Sequence, residues 1–216
     1  MDQNQFFLGV DLGQRQDPTA LAAIERVIQR GPEVDRATFQ PVTQVTYRVR
    51  GLRRLKLGTP YPEIVAEVAS VARTVAAEGP TTLVVDATGV GAPVVDLLRG
   101  VLDSTIPLIP VIFTGGDTAR FDGGVYRVPK KDLVHGLIVL FEDKRLRLLD
   151  DHPETRALVN ELSNMRVKIS GESHATYEAW RQNQHDDMVF ALALACWRGR
   201  WSEPKILGCS KPLILW

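Results

Sequence analysis

Acidic residues stand at the ends of three apolar segments, and together they could hold metal ions. Asp11 ends the segment FFLGVD, Asp86 ends TTLVVD, and the adjacent Asp186 and Asp187 open the apolar run MVFALALACW. Carboxylates that meet at one point repel each other unless a cation holds them, and hard oxygen ligands suit Mg²⁺ or Mn²⁺ better than zinc. Two such ions about 3.5–4 Å apart can activate a water and stabilise the leaving oxygen of a phosphodiester. If the three segments converge, these residues predict metal-dependent phosphoryl chemistry.

Each of these acids also has a purely structural interpretation. Asp11 stands before Leu-Gly and fits a turn, and Asp86 fits the N-cap of a following helix. Aspartate is a favoured N-cap and suits the positive end of the helix dipole, so capping explains one member of the pair Asp186 and Asp187. Asp17, directly before a proline, is typical of a turn. The metal hypothesis therefore depends on the conjunction, and which member of the pair would be the ligand stays open.

The surrounding segments predict a mixed sheet that would bring the acids to one edge. Residues 6–13, 19–28 and 38–55 predict three strands with short connections, which is typical of an antiparallel meander. Helical spacing follows at 59–79, and 81–89 predicts a fourth, buried strand. If the first and fourth strands are neighbours, Asp11 and Asp86 meet where ligands bind in α/β sheets. The other predictions are helices at 91–100, 129–149 (running into a short basic strand), 152–165 and after Asp186, a strand at 105–116, a loop at 114–129, and a hairpin or long loop at 166–184.

Composition predicts one soluble α/β domain over residues 1–200 with a tail at 201–216. The chain has 216 residues, 44% hydrophobic, with a formal net charge of zero, which argues mildly against a strongly basic nucleic-acid binder without forbidding one. Two cysteines make no disulfide framework, and no signal peptide or membrane span is visible. We therefore expect a cytoplasmic protein that does not enter a membrane. The chain also lacks a complete dinucleotide-binding glycine motif, a P-loop and a nucleophile elbow.

Four segments in this order resemble a known family. FFLGVDLGQRQDPTALAAIE, LVVDATGVGAPVVDLL, VPKKDLVHGLIVLFEDKRLRL and QHDDMVFALALACW are similar to the C-terminal nuclease domain of large terminase subunits, the DNA-packaging enzymes of tailed bacteriophages. The similarity runs from Phe6 to Trp197. It implies an RNase H-like (retroviral-integrase-type) fold, a mixed sheet with helices on both faces. It also implies an endonuclease that cleaves double-stranded DNA with two Mg²⁺ or Mn²⁺ ions during phage genome packaging.

The resemblance assigns roles to residues of this chain. Asp11 matches the ligand on the first strand and would bridge both ions, and Asp86 matches the ligand on the central strand. Asp187 is the better match to the helix ligand, with Asp186 beside it. Asp17 matches an accessory acid. His185 could orient a carboxylate or a water, or it could be an ordinary surface histidine.

The resemblance also implies partners. Large terminase subunits carry an ATPase motor, and this chain has none, so the motor would act in cis if the chain is an excised domain, or in trans. A small terminase subunit, a portal and double-stranded DNA in the host cytoplasm would be the other partners. Binding to DNA would need cations that contact its phosphates. Each of the candidates could equally be an ordinary solvated surface residue. The candidates are Arg15, Arg53, Arg54, Lys56, Lys130 and Lys131.

Three other functions stay open from the sequence. A RuvC-like junction resolvase would share the fold and prefer four-way junctions. The GVDLG segment also resembles the first phosphate loop of sugar-kinase and actin-like ATPases, which need two duplicated domains. A non-catalytic DNA-binding or assembly module would use the acids structurally.

Overall fold

The computed structural model describes residues 4–13, 17–34, 39, 41–89, 91–169, 175–179 and 186–202. Within these ranges, eight strands form one mixed sheet, two further strands form a separate hairpin, and five helices pack around the sheet. The strands are β1 (Gln5–Asp11), β2 (Ala20–Val34), β3 (Pro41–Arg54), β4 (Thr81–Asp86), β5 (Leu108–Thr114), β6 (Arg120–Asp122), β7 (Val125–Pro129), β8 (Leu146–Arg147), β9 (Met165–Ile169) and β10 (Ala175–Ala179). The helices are α1 (Tyr61–Ala76), α2 (Gly91–Val101), α3 (Lys130–Glu142), α4 (Pro153–Asn164) and α5 (Asp187–Trp201).

The strand order of the large sheet is β6-β7-β5-β4-β1-β2-β3-β8. The predicted antiparallel meander is confirmed, because β2 pairs antiparallel with both β1 and β3. The predicted adjacency of the first and fourth strands is also confirmed: β1 and β4 run parallel, with Val10 opposite Val85. This register places Asp11 and Asp86, the next residue of each strand, side by side at the carboxyl edge of the sheet.

The pleat decides which way these two acids face. Successive side chains of a strand point to opposite faces, so Phe7, Gly9 and Asp11 share one face of β1, and Val84 and Asp86 share one face of β4. Phe7 and Val84 belong to the core that the sheet forms with α3, α4 and α5. The alternate residues of both strands belong to the core beneath α1 and α2. Helices thus cover both faces as predicted, and both acids lie on the α5 face.

The contact between α5 and β1 is unusually close. A Cβ added to Gly9 would overlap the carbonyl oxygen of Ala191 and lie 2.8 Å from the backbone nitrogen of Ala195. Small residues therefore let the helix backbone rest directly on the strand. Every residue of α5 from Asp187 to Cys196 is buried, which explains why this segment is apolar on all sides. The start of α5 is thereby held at the edge where β1 ends.

The predicted loop at 114–129 is wrong, because this segment contains the hairpin of β6 and β7, and β7 pairs parallel with β5. Its glycine-rich composition concealed the strands. Gly123 and Gly124 have φ angles of 58° and 80° and form the two-residue turn, a conformation that favours glycine in tight hairpins. The carboxyl end of β7, with Pro129 as its last residue, therefore lies at the same edge of the sheet as the ends of β1 and β4.

The remaining elements follow the predictions closely. The helix and short strand predicted at 129–149 are α3 and β8. The sequence predicts a hairpin or a long loop for 166–184, and the hairpin is confirmed, because β9 and β10 pair antiparallel. Helix α5 runs to Trp201, and residues 203–216 of the predicted tail lie outside the described residues. In the part of the chain that the structure describes, no helix is long and apolar enough to cross a membrane.

Candidate metal centre

Asp11 and Asp86 form a hydrogen-bonded pair of carboxyl groups at the ends of β1 and β4. Asp86 is 8% exposed, and its Oδ1 accepts the backbone N–H of Thr88 at 2.8 Å. The hydroxyl of Thr88 in turn accepts the backbone N–H of Phe113 on β5 at 2.9 Å. Helix α2 begins only at Gly91, so Asp86 is not its N-cap. The turn after β4 instead holds the Asp86 carboxylate at the sheet edge.

Asp187 is the first residue of α5 and is 4% exposed. Asp186 occupies the N-cap position, but its side chain makes no capping hydrogen bond, so capping by this carboxylate is wrong. The α5 N-terminus is instead capped from another element: Glu161 on α4 accepts the backbone N–H groups of Met188 and Val189 at 3.1 and 3.2 Å. Asp187 lies in the first turn of α5, where an acid suits the helix dipole, but the acceptor for these two N–H groups is Glu161.

Burial and mutual repulsion disfavour ionisation of these acids. Burial raises the pKa of Asp11 well above its usual range, and the charges of Asp86, Asp187 and Asp186 raise it further. Burial also raises the pKa of Asp86, against the hydrogen bonds from Thr88. The charges of Asp86, Asp187 and Asp186 therefore all act on Asp11.

The pKa of Asp187 is raised as well. Burial is the largest cause, the charges of Asp17, Glu161 and Asp186 add to it, and together they raise the pKa of Asp187 to about 7. Arg54 partly offsets the effect. A carboxyl group with this pKa is poised between its neutral and charged forms near neutral pH.

The connection after β1 brings Asp17 to the same edge. The N–H of Gly13 donates to the hydroxyl of Thr19 at 3.1 Å, and a Cβ on Gly13 would overlap the backbone of Asp17 and Pro18. The chain therefore doubles back tightly, which requires glycine at this position. Asp17 is exposed, yet among the charged groups it acts most strongly on Asp187. The structure thus brings Asp17 within electrostatic reach of Asp187.

Lys130 lies at the acid cluster. It is the first residue of α3, directly after β7, and its charge lowers the pKa of both Asp11 and Asp86. Its Nζ lies 4.6 Å from the ring centre of Phe190 and 5.7 Å from that of Phe113. These aromatic faces hold the ammonium group. Lys130 therefore partly balances the charges of Asp11 and Asp86.

Most of the other predicted cations are engaged with acids of the chain. Arg53 pairs with Glu67, and Lys131 pairs with Asp117. Arg54 pairs with Glu161, and its side chain is 22% exposed. The remaining candidates are Lys56, which is exposed, and Arg15, which with His185 lies outside the described residues.

The chemistry of the clustered carboxylates fits a hard divalent cation, but the described side chains do not lie close enough together to enclose one. The converging groups are carboxylates, which Mg²⁺ and Mn²⁺ prefer, and their mutual repulsion is what a cation would relieve. Among the described residues, however, no group of three or more His, Cys, Asp or Glu side chains is arranged closely enough to hold an ion. Of the predicted ligands, Asp86 interacts with Asp11 through a hydrogen bond, Asp187 and Asp186 act on Asp11 through their charges, and Asp17 acts on Asp187.

The sequence does not predict the contacts that Lys130 and Glu161 make at the site. The sequence predicts Lys130 as a candidate phosphate-contacting cation and not as a neighbour of the acids, because the strand that ends before it has the composition of a loop. Recognising that strand would have placed Lys130 at the acidic edge. Glu161 gave no signal, since it stands in the ordinary polar helix pattern PETRALVNELSN and reaches α5 across 27 positions of the sequence.

Comparison with known structures supports the fold assignment. The large terminase nuclease from thermophilic phage G20c with bound magnesium has a TM-score of 0.59 at 20% sequence identity, over 91% of this chain and 84% of that chain. A mutant nuclease domain of the large terminase subunit of bacterial virus Sf6, with manganese and beta-thujaplicinol, has a TM-score of 0.56 at 14% identity, over 90% and 87%. The HK97 bacteriophage large terminase has a TM-score of 0.52 at 16% identity, over 91% of this chain and 39% of that chain.

These similarities establish the fold class. No protein-family model matches the chain, and no curated protein matches it. At such low identities, the likeness is one of fold. The chain has the RNase H-like fold of phage large terminase nuclease domains, and the predicted fold is confirmed.

Proposed function

We propose that this protein is a metal-dependent DNA endonuclease of the terminase type, which uses two Mg²⁺ or Mn²⁺ ions to hydrolyse phosphodiester bonds of double-stranded DNA during phage genome packaging. The observation that carries the proposal is the convergence of Asp11, Asp86 and Asp187, from β1, β4 and α5, on the carboxyl edge of the sheet. Neighbours of the same fold are nucleases solved with magnesium, cobalt and manganese.

In this proposal the three acids divide the binding of the ions. Asp11, at the centre of the cluster, would contact both ions, Asp86 one and Asp187 the other, while Asp186 and Asp17 would supply accessory oxygens. Bound divalent ions would lower the pKa of a coordinated water and stabilise the leaving oxygen. Because the described acids do not already form a closed ligand group, ion binding would have to draw Asp187 toward the Asp11–Asp86 pair.

Other side chains would prepare the site for the ions. Thr88 holds the Asp86 carboxylate through its backbone N–H. Lys130 reduces the repulsion within the cluster when no ion is bound, because its charge favours the ionised forms of Asp11 and Asp86. The buried body of α5, in backbone contact with β1 at Gly9, fixes the point from which Asp187 reaches the site.

The proposed partners follow from the same reasoning. We infer that the substrate is double-stranded DNA and that an ATPase motor acts with the nuclease, either in one longer chain or in trans. The alignment covers 39% of the HK97 large terminase, so in that protein this fold is one part of a longer chain. A small terminase subunit, a portal and a host-cytoplasmic location complete the proposal.

Plasmid cleavage tests the proposed function. Supercoiled and linear plasmid are incubated with the protein and millimolar Mg²⁺ or Mn²⁺, and Asp11→Asn, Asp86→Asn and Asp187→Asn are compared with the surface control Asp96→Asn. We expect cleavage by the wild type and by the control, and at least a hundredfold loss in the three site variants. Wild-type cleavage that survives Asp86→Asn would remove the proposed active site.

The same assay separates the proposal from its alternatives. A four-way junction is offered beside linear duplex of the same sequence. Resolution of the junction with the duplex left intact would identify a junction resolvase. DNA binding without cleavage under all ions would identify a non-catalytic module.

A further inference from the structure

Glu161 on α4 ties together two elements that border the acid cluster. One of its carboxylate oxygens, Oε2, accepts the backbone N–H groups of Met188 and Val189, in the first turn of α5. The other oxygen, Oε1, pairs with the guanidinium of Arg54 at the end of β3. The Glu161 side chain is only 8% exposed. One carboxylate thus connects α4, α5 and β3 next to Asp187.

The helix needs this carboxylate because its own N-cap residue does not perform the capping. The first backbone N–H groups of a helix have no partner within the helix. Asp186 makes no capping hydrogen bond, and Met188 and Val189 are fully buried, so water cannot replace the acceptor. A charged acceptor at the positive end of the helix dipole makes strong hydrogen bonds. Glu161 therefore sets the position of the turn that begins with Asp187.

The same contact also controls Arg54. The Arg54 charge acts on Asp187, and the buried Nε of Arg54 has no hydrogen-bond partner among the described residues. Arg54 thus has an N–H donor, at Nε, that makes no hydrogen bond to the described residues, and its charge acts on the predicted metal ligand Asp187. Without the Glu161 carboxylate, this guanidinium would lose its ion-pair partner while its charge still acts on Asp187. An arginine paired with Asp187 would compete with a metal ion for the same oxygens.

We propose that Glu161 is a positioning residue of the nuclease site, which holds the first turn of α5 in place and keeps Arg54 engaged away from Asp187. This inference rests on the proposed function, because it assigns Glu161 a role only through Asp187 and the ion. It predicts that loss of the carboxylate weakens metal activation more than it weakens folding, and that part of the loss is caused by Arg54.

The test measures the Mn²⁺ concentration that gives half-maximal plasmid cleavage, together with the maximal rate and the thermal midpoint. The variants are Glu161→Ala, Glu161→Gln, Arg54→Ala and the double variant Glu161→Ala with Arg54→Ala. Glu67→Ala is the matched control, because it breaks the neighbouring ion pair with Arg53 at a site more exposed than that of Glu161.

We expect Glu161→Ala to raise the half-maximal Mn²⁺ concentration about tenfold or more, as is usual when the group that orients a metal ligand is removed. Glu161→Gln keeps an oxygen acceptor for the helix and should show a smaller rise and a nearly normal thermal midpoint. The double variant should recover part of the loss, because the competing guanidinium is gone. A purely structural cap would predict no such recovery. Glu67→Ala should behave as the wild type.

The outcomes distinguish failure of this inference from failure of the proposed function. If the wild type cleaves, Asp187→Asn is inactive, and Glu161→Ala and Glu161→Gln keep the wild-type Mn²⁺ dependence, the inference is wrong and the nuclease stands. If Glu161→Ala does not fold, the same comparison is made with Glu161→Gln alone against Arg54→Ala. If the double variant is no better than Glu161→Ala, the role assigned to Arg54 is wrong. If the wild type does not cleave DNA with any of the ions tested, both proposals are wrong.

Discussion

The burial of Asp187 has a consequence for stability that can be measured without any substrate. In the metal-free protein its pKa is about 7, compared with an ordinary value of 3.8. Each pKa unit corresponds to about 1.4 kcal/mol, so ionised Asp187 costs the folded state at most about 4 kcal/mol, less where solvent screens it. We expect Asp187→Asn, which carries no charge at any pH, to make the metal-free protein more stable at alkaline pH while it abolishes metal binding.

The sign and the pH window follow from proton binding. Because the pKa of Asp187 is raised in the folded protein, the folded state binds more protons than the unfolded state between about pH 4 and about pH 7. Its contribution to stability therefore decreases as the pH rises through this window and is constant above it. Between about pH 5 and about pH 8.5, the advantage of Asn over Asp should grow by up to about 3 kcal/mol, since roughly two of the three units are titrated there.

Urea unfolding in EDTA at these two pH values measures the effect. With an m value of about 2 kcal/mol per molar urea, 3 kcal/mol is a difference of about 1.5 M in the unfolding midpoint. Asp96→Asn, at an exposed position on α2, is the control and should show no such pH-dependent gain. A loss of stability in Asp187→Asn at the higher pH, or a difference that does not change with pH, would refute the reasoning that an uncompensated charge is buried there.

Three further predictions concern the packing of α5, the cation at the site and the ion. Gly9→Ala should destabilise the protein by about 2 kcal/mol or more in urea unfolding, because the added methyl group overlaps α5. Gly51→Ala is the control and should be tolerated, because nothing lies within 4 Å of the added methyl group there. An equal loss of stability in the two variants would contradict the close contact between α5 and β1. Lys130→Ala should move the rise of the cleavage rate with pH to higher pH, because it removes a positive charge that lowers the pKa values of Asp11 and Asp86. Lys130→Arg keeps the charge and should retain the wild-type pH profile. An unshifted profile in Lys130→Ala would show that the charge does not act on the site. Mn²⁺ at about a hundred times its dissociation constant should stabilise the wild type by about 2.7 kcal/mol, seen as a higher thermal midpoint; an equal rise in Asp11→Asn would place the ion elsewhere.

The parts of the site that the sequence predicted correctly are those that depend on strand ends. Asp11 and Asp86 terminate apolar runs, and the neighbouring positions of β1 and β4 follow from a meander joined to a parallel half. Such positions are visible because the period of two and the buried strands are local properties of the chain. The apolar run after Asp187 likewise announces a buried helix.

The parts that the sequence did not predict depend on packing between distant segments. The pairing of Arg54 with Glu161 joins positions that are 107 residues apart, and no spacing rule connects them. The ion pairs of Arg53 with Glu67 and of Lys131 with Asp117 are likewise not predicted by any local spacing rule. The hairpin of β6 and β7 is not predicted because its turn glycines are also typical of loops.

The sheet order has a consequence for the synthesis of the chain. The three proposed ligands are encoded at positions 11, 86 and 187, and the last of them arrives only with the helix that must dock against Gly9. A nascent chain that still lacks α5 can pair β1 with β2 and β4, yet it carries no third carboxylate and leaves the apolar face of its sheet uncovered. In the proposed enzyme, cleavage activity would therefore appear only after α5 has been synthesised and has docked against the sheet, so fragments that end before α5 could not cut DNA.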